Sequence, residues 1–260
     1  IVMLDMFIRK GDIESKGLLD ASNLPVRKTI EEIKTSTTEE LIDNIVNAAK
    51  DIDQTALRAD LEASDKLVEL FAEKPELVES WKILNDLSKS SGNEIFKSNR
   101  KNTEFLKKFN EVVNDRNFNE HTFKGHVKKK FRDDGQEYWS ASGVHSKIAI
   151  DDGYAAFRGE KTFLNNSEPS YYKSKVKVYS PNFPQNQGWK SKISPSSFFP
   201  DSWHKSKIQA EVAKVIQENP NPIQTELDGR KILGGIMTDG MQLRVWLNSN
   251  NEIESAFPYF

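Results

Sequence analysis

The hydrophobic period of this chain changes once, near Asn117, and that change limits the folds open to it. Before it, apolar residues recur at helical spacing. Thr37 and Thr38 ahead of Glu39-Glu40-Leu41-Ile42 read as a capped helix start, followed by Ile45 and Ala48 on the same face. Ser64 opens a second helix carrying Leu67, Leu70 and Phe71. After a break at Pro75, Leu77, Val78, Trp81 and Leu84 resume the 3–4 spacing. Ser88 to Asn93 reads as a polar linker, and Ile95-Phe96 with Phe105 to Phe109 as one more helix.

Beyond Asn117 the pattern is mainly β. Tyr172 to Tyr179 alternates in part, Lys231 to Met237 reads as a glycine-relieved strand, and Met241–Leu247 with Ile253–Phe257 flank Asn248-Ser249-Asn250-Asn251 as a hairpin. One amphipathic helix, His204 to Asn219, carries Ile208, Val212, Val215 and Ile216 on one stripe. The expectation is an α+β chain: a helical region over residues 1–117, then a second domain over 118–260.

With 37% apolar residues among 260, the chain can bury a real core and reads as globular and soluble. The longest apolar run, Ile1 to Ile8, is broken by Asp5 and stops at Arg9-Lys10, well short of a membrane span. No cysteine is present, so disulfides and thiolate metal sites are excluded. The net charge of −2 hides an asymmetry: residues 1–117 hold 18 basic against 23 acidic side chains, residues 118–260 hold 19 against 16, and His121 to Lys192 holds 13 against 7. Positive charge gathers where all four histidines lie, which suits a polyanionic ligand.

Three segments there carry chemistry: Glu120-His121-Thr122-Phe123-Lys124-Gly125, Ser142-Gly143-Val144-His145, and Lys192 through Pro200. Two imidazoles and an ammonium are what RNA cleavage without a metal requires. One imidazole takes the proton from a ribose 2′-hydroxyl, the other protonates the departing 5′-oxygen, and the ammonium neutralises charge on the phosphate between them. His126, next to Gly125, competes with His121 for the acid role. The histidine spacings fit no H-x3-H or HExxH zinc pair, and no G-x-S-x-G elbow is present for a serine hydrolase. No metal or cofactor is implied.

These segments resemble the EndoU endoribonuclease family. Glu120, His121, Phe123 and Gly125 are similar to its E-H-x-F-x-G motif. Gly143-Val144-His145 is similar to G-[FVY]-H, Lys192 with Ser196, Ser197 and Phe198 to its lysine and hydroxyl segment, and Ser255-Ala256-Phe257-Pro258 to [ST]-x-[YF]-P. The resemblance implies two antiparallel sheets meeting at a cleft with flanking helices. It implies His121 as general acid, His145 as general base and Lys192 at the phosphorane, with Ser196, Ser255 and Phe257 contacting substrate. The products implied are a 2′,3′-cyclic phosphate and a 5′-hydroxyl. Lys128 to Trp139 reads as a loop inserted between the two histidine motifs, and Phe257 stands where several members carry tyrosine.

The first half, from Leu57-Arg58-Ala59-Asp60-Leu61 to Trp81, resembles the spacer that precedes toxin domains at the ends of large secreted bacterial polymorphic toxins. The lack of an initiating methionine agrees with a piece of a longer chain. That resemblance implies a secreted or delivered effector acting in the target-cell cytoplasm on RNA, tRNA among the candidates, with a cognate immunity protein as partner. Two other readings stand beside it: a non-catalytic RNA- or tRNA-binding module, and a delivery fragment whose helical half works by protein contact.

Overall fold

The computed structural model describes residues 37–164 and 168–260. The Ile1–Ile8 run and the first 36 residues of the expected helical region lie outside the described residues. The chain divides into two compact units, Ile1–Lys82 and Ile83–Phe260.

In the first unit, α1 (Thr38–Ala48), α2 (Gln54–Glu62), α3 (Asp65–Glu73) and the start of α4 (Leu77–Ser91) form a helical cluster. Each of the first three starts where a short polar side chain can accept from the free N–H groups of the first turn: Thr37 in a reciprocal capping box with Glu40, then Asp53 and Ser64. Leu41, Ile45, Leu57, Leu61, Leu67 and Phe71 make the core. The buried Trp81 ring donates its Nε1–H to Asp60 Oδ2 at 2.9 Å, which satisfies an otherwise costly buried carboxylate. The segment Ser88–Asn93 is not a linker from its first residue: α4 continues through Ser91, Gly92 turns the chain at φ 61°, and Asn93 caps the next helix.

The second unit begins within α4 and continues through α5 (Glu94–Asn99), α6 (Thr103–Asn114) and α7 (Arg116–Phe123). It then turns to strands: β1 (His126–Phe131), β2 (Glu137–Ser142), a short α8 (Ile148–Asp151), β3 (Ala155–Phe157), β4 (Thr162–Phe163), β5 (Tyr172–Ser174), β6 (Val176–Tyr179), β7 (Trp189–Ser191) and β8 (Ser196–Phe198). Helix α9 (Lys205–Glu218) precedes β9 (Gln224–Thr225), β10 (Lys231–Ile236), β11 (Gln242–Leu247) and β12 (Ile253–Pro258). The α+β class is as expected. All strand pairs are antiparallel, and among the described residues they form four small sheets: β1-β2, β12-β11-β10-β9, β3-β6-β7 and β4-β5-β8.

Two details of the pattern resolve differently from expectation. Tyr172–Tyr179 is split at Lys175, because β5 and β6 pair in different sheets. Lys128–Trp139 is no irregular insertion but most of a β-hairpin, with Lys128 opposite Ser140 and Lys130 opposite Tyr138. The alternation there is hard to see because Lys129 stands between Val127 and Phe131 on the face that carries Trp139 and Ala141, so the run reads as charged and period alone does not separate strand from loop.

Beneath the hairpin lies a core of Ala141, Val144, Tyr172, Val176, Val178 and Phe198, with Val127 and Phe157 against it. Helix α6 buries Phe105, Leu106, Phe109 and Val112 and packs on α9, which buries Ile208, Val212 and Val215. Burying each such side chain is worth roughly 1.5–3 kcal/mol, so α6 contributes on the order of a small domain's whole net stability. Asn117, where the composition changes, sits inside α7. A fragment of residues 83–260 should therefore unfold cooperatively in denaturant, whereas residues 118–260, stripped of α6, should show no cooperative transition. A sharp transition for the shorter fragment would contradict this packing.

Candidate active site

The segment around His121 is a helix end. In α7 the N–H groups of Lys124 and Gly125 both fold back on the Glu120 carbonyl, at 3.0 and 2.8 Å, with Gly125 at φ 74°. A Cβ on Gly125 would lie 2.6 Å from Val144 Cγ2, so both the left-handed turn and the close approach call for glycine. Phe123 is buried against Phe118 edge-on, which anchors the last turn and leaves His121 on the cleft side.

The segment around His145 locks onto this helix end. Val144 N–H donates to the His121 carbonyl at 2.8 Å and His145 N–H to the Thr122 carbonyl at 3.0 Å. Gly143 passes so close that a Cβ would sit 2.2 Å from the His121 oxygen. Val144 has φ 66°, a strained conformation for a β-branched residue, and is fully buried in the core below. It acts as a peg that sets the direction of His145. The imidazole is held from the other side: its Nδ1 is 2.9 Å from the Ser197 carbonyl, and Phe199 N–H donates to the His145 carbonyl at 2.9 Å. A carbonyl can only accept, so Nδ1 carries the proton in the neutral ring and Nε2 presents a lone pair.

Lys192 follows β7, with its N–H on the Val176 carbonyl. Its ammonium donates to Ser196 Oγ at 2.6 Å and to the Gly143 carbonyl at 3.1 Å, and Ser196 Oγ also reaches that carbonyl at 3.1 Å. Ser196 is fully buried and does not line the cleft; it orients the lysine, and Ser197 is the serine at the cleft wall. Lys190 lies over the Phe183 ring, away from the cleft.

The cleft has a volume of about 670 Å³, and its lining includes His121, His126, His145, Lys192, Ser255 and Phe257. The rings form a row. Phe257 stacks on His145 at 5.2 Å, His145 on His121 at 5.6 Å, and His121 meets His126 edge-on at 5.1 Å. Thus His126 lies beside His121. The fourth histidine, His204, is exposed at the start of α9 and is not in the cleft lining.

Sequence patterns did not single out Trp246 and Arg230, which also line the cleft. Trp246 is opposite Ser255 across β11 and β12, with the Arg230 guanidinium 5.4 Å from its ring. Trp246 Nε1 and Ser255 Oγ are buried without a hydrogen-bond partner among the described residues, and both residues line the cleft. Only strand register brings them together, and register is not written in either strand alone. Among the described residues no group of three or more His, Cys, Asp or Glu side chains is placed to hold a metal ion, and no helix is long and apolar enough to cross a membrane.

Burial dominates the electrostatics. Desolvation, then the neighbouring His126 and Lys192, pushes His121 down to about 3; desolvation and Lys128 push His126 down to about 4. His145, buried beside Lys192 and His121, is also held well below the ordinary imidazole value. Desolvation brings Lys192 down to about 8, so it remains mostly cationic near neutrality.

Depressed imidazoles contribute stability that is present above their unfolded value of about 6.5 and is lost as pH falls toward the folded values. Between pH 7.5 and 5 the unfolding free energy should drop by up to about 2 kcal/mol for each of His121 and His126. Denaturant melts of wild type, His121→Asn and His126→Asn across that range check this: each substitution should flatten the slope. Equal slopes in all three would contradict neutral, desolvated histidines.

No curated protein matches the chain. Among solved structures, endoribonuclease Nsp15 encoded by Middle East Respiratory Syndrome Coronavirus is similar at 12% identity and a TM-score of 0.30, covering 55% of this chain and 34% of that one. The chain therefore spans about a third of that protein's length. Residues 114–259, which carry every cleft residue named above, match the family model described as bacterial EndoU nuclease, and the chain belongs to that family.

Proposed function

We propose that this nuclease is an endoribonuclease that cleaves by transesterification. The observation that carries the reading is the row Phe257, His145, His121 with the Lys192 ammonium in one cleft. His145 Nε2, unprotonated because Nδ1–H is committed to Ser197, takes the proton of a ribose 2′-hydroxyl. The 2′-oxygen attacks phosphorus, and the P–O5′ bond breaks as His121 delivers a proton to the departing oxygen. The products are a 2′,3′-cyclic phosphate and a 5′-hydroxyl end. Lys192 sits against the growing charge on the non-bridging oxygens.

The acid must be charged, yet His121 is neutral in the free protein at neutral pH. An incoming phosphodiester supplies the missing factor: its negative charge raises the imidazole value just where the proton is needed. Phe257 stacks on the base of the nucleotide that bears the 2′-hydroxyl, an interaction worth roughly 1–3 kcal/mol. Ser255, with Trp246 opposite, offers hydrogen bonds to its edge. Ser196 serves through Lys192.

The role as a delivered bacterial toxin, tRNA as target, and a cognate immunity protein rest on the sequence resemblances alone. The assignment of the nuclease residues to 118–260 rests on the change of pattern near Asn117 and is supported by the family match over residues 114–259, with α6 needed beside them to complete the core; the spacer role of the helical region before it rests on resemblance. The alternative of an RNA-binding module without catalysis predicts no product at all. Incubation of the chain with RNA in excess EDTA should yield cyclic-phosphate ends, and His145→Ala should lower single-turnover cleavage by roughly 10²-fold or more. Intact RNA that remains bound, or undiminished cleavage by the variant, would overturn the assignment.

A further inference from the structure

The β1–β2 hairpin begins at His126, the end of the ring row. His126 opens β1, and side chains two residues apart on a strand share a face at intervals of about 6.8 Å. Lys128 and Lys130 accordingly line the cleft with His126, while Lys129 points elsewhere, its ammonium 2.8 Å from Glu137 and over the Trp139 ring. Lys128 and Lys130 are exposed and make no ion pair among the described residues. Across the strand pair they face Ser140 and Tyr138, and Arg132 stacks over Tyr138 at the tip. The cleft side of the hairpin is therefore a line of positive charge that starts at His126, at the opposite end of the ring row from Phe257.

We propose that this face is a phosphate track for the nucleotides on the 3′ side of the cleaved bond, so that the substrate is an RNA continuing at least two nucleotides past it. The inference rests on the ribonuclease reading above and adds polarity to it. The base-stacking ring lies beside His145, which handles the 2′-hydroxyl of the upstream nucleotide. The leaving 5′-oxygen belongs to the downstream nucleotide and lies on the side of His121 and His126, where the hairpin begins. A lysine every second residue repeats at about the interval of an extended single strand, with no base contact required.

Three substrates sharing one cleavable dinucleotide step test this with the full chain: the dinucleotide, the same step extended by three nucleotides 5′, and by three nucleotides 3′. For wild type, kcat/KM should exceed the dinucleotide value by about tenfold or more with the 3′ extension only, through phosphate contacts. In Lys128→Ala/Lys130→Ala the ratio of 3′-extended to dinucleotide kcat/KM should fall to near one, and the log–log salt slope for the long substrate should flatten by roughly 1.4, two contacts at about 0.7 each. Lys129→Ala should keep the wild-type ratio. A 5′ preference, or a ratio unchanged in the double variant, would overturn the track while leaving the ribonuclease reading intact, and would point to a protein partner for the hairpin. If wild type cuts none of the three, the ribonuclease reading falls. Anisotropy with the 3′-extended strand, made non-cleavable by a 2′-deoxy substitution at the step, then still reads the track: equal affinity for wild type and double variant would refute it.

Discussion

Everything at the site depends on one close approach, the passage of Gly143 over the carbonyl of His121. The Val144 and His145 amides donate to consecutive carbonyls of α7, so the backbones bearing both histidines are joined directly. A Cβ at residue 143 would overlap the His121 oxygen, and the left-handed turn at Val144 persists because its side chain is buried in the core. The same glycine's carbonyl accepts from Lys192 and Ser196. One tripeptide thus sets the positions of His145, His121 and the Lys192 ammonium, which explains why short segments scattered along the chain meet in one cleft.

Close packing has an electrostatic consequence. The desolvation that accompanies it keeps the imidazoles neutral at pH values where a free histidine would be charged, and it lowers the lysine while leaving it mostly cationic near neutrality. This costs stability at acid pH and makes the cleft responsive to an anion, since a phosphodiester offsets the charge penalty that burial imposes. The proposed polarity along the cleft follows from the same row of rings: Phe257 beside His145 would take a base, and Lys128 and Lys130 beyond His126 would take phosphates.

Much of this was legible in the sequence because the motifs are local solutions to local problems. Glu120–Gly125 is a helix end that needs its glycine, and Gly143–His145 is a turn with a buried peg; such requirements appear as fixed residue types at fixed offsets. Helices α1, α3 and α9 were readable from caps and apolar stripes. What was not legible depends on pairing across distance. In the hairpin at 126–142 the apolar face of Val127, Phe131, Trp139 and Ala141 is interrupted by Lys129 and Glu137 and divided between two strands, so its alternation is weak in either strand alone. Ser196 looks like a substrate contact until its burial under Lys192 is seen. Trp246 enters the cleft only through its register with Ser255.

Burial keeps His121 and His145 neutral in the free protein, and on the proposed mechanism a bound phosphate group recharges His121. Histidine-resolved NMR titration of the full chain, free and with a non-cleavable 2′-deoxy dinucleotide, tests it most directly. His121 should titrate near 3 alone and shift upward by at least a unit with the ligand, while His145 keeps its proton on Nδ1 in both states. A value near 6.5 for His121 in the free protein, or no upward shift on binding, would contradict it.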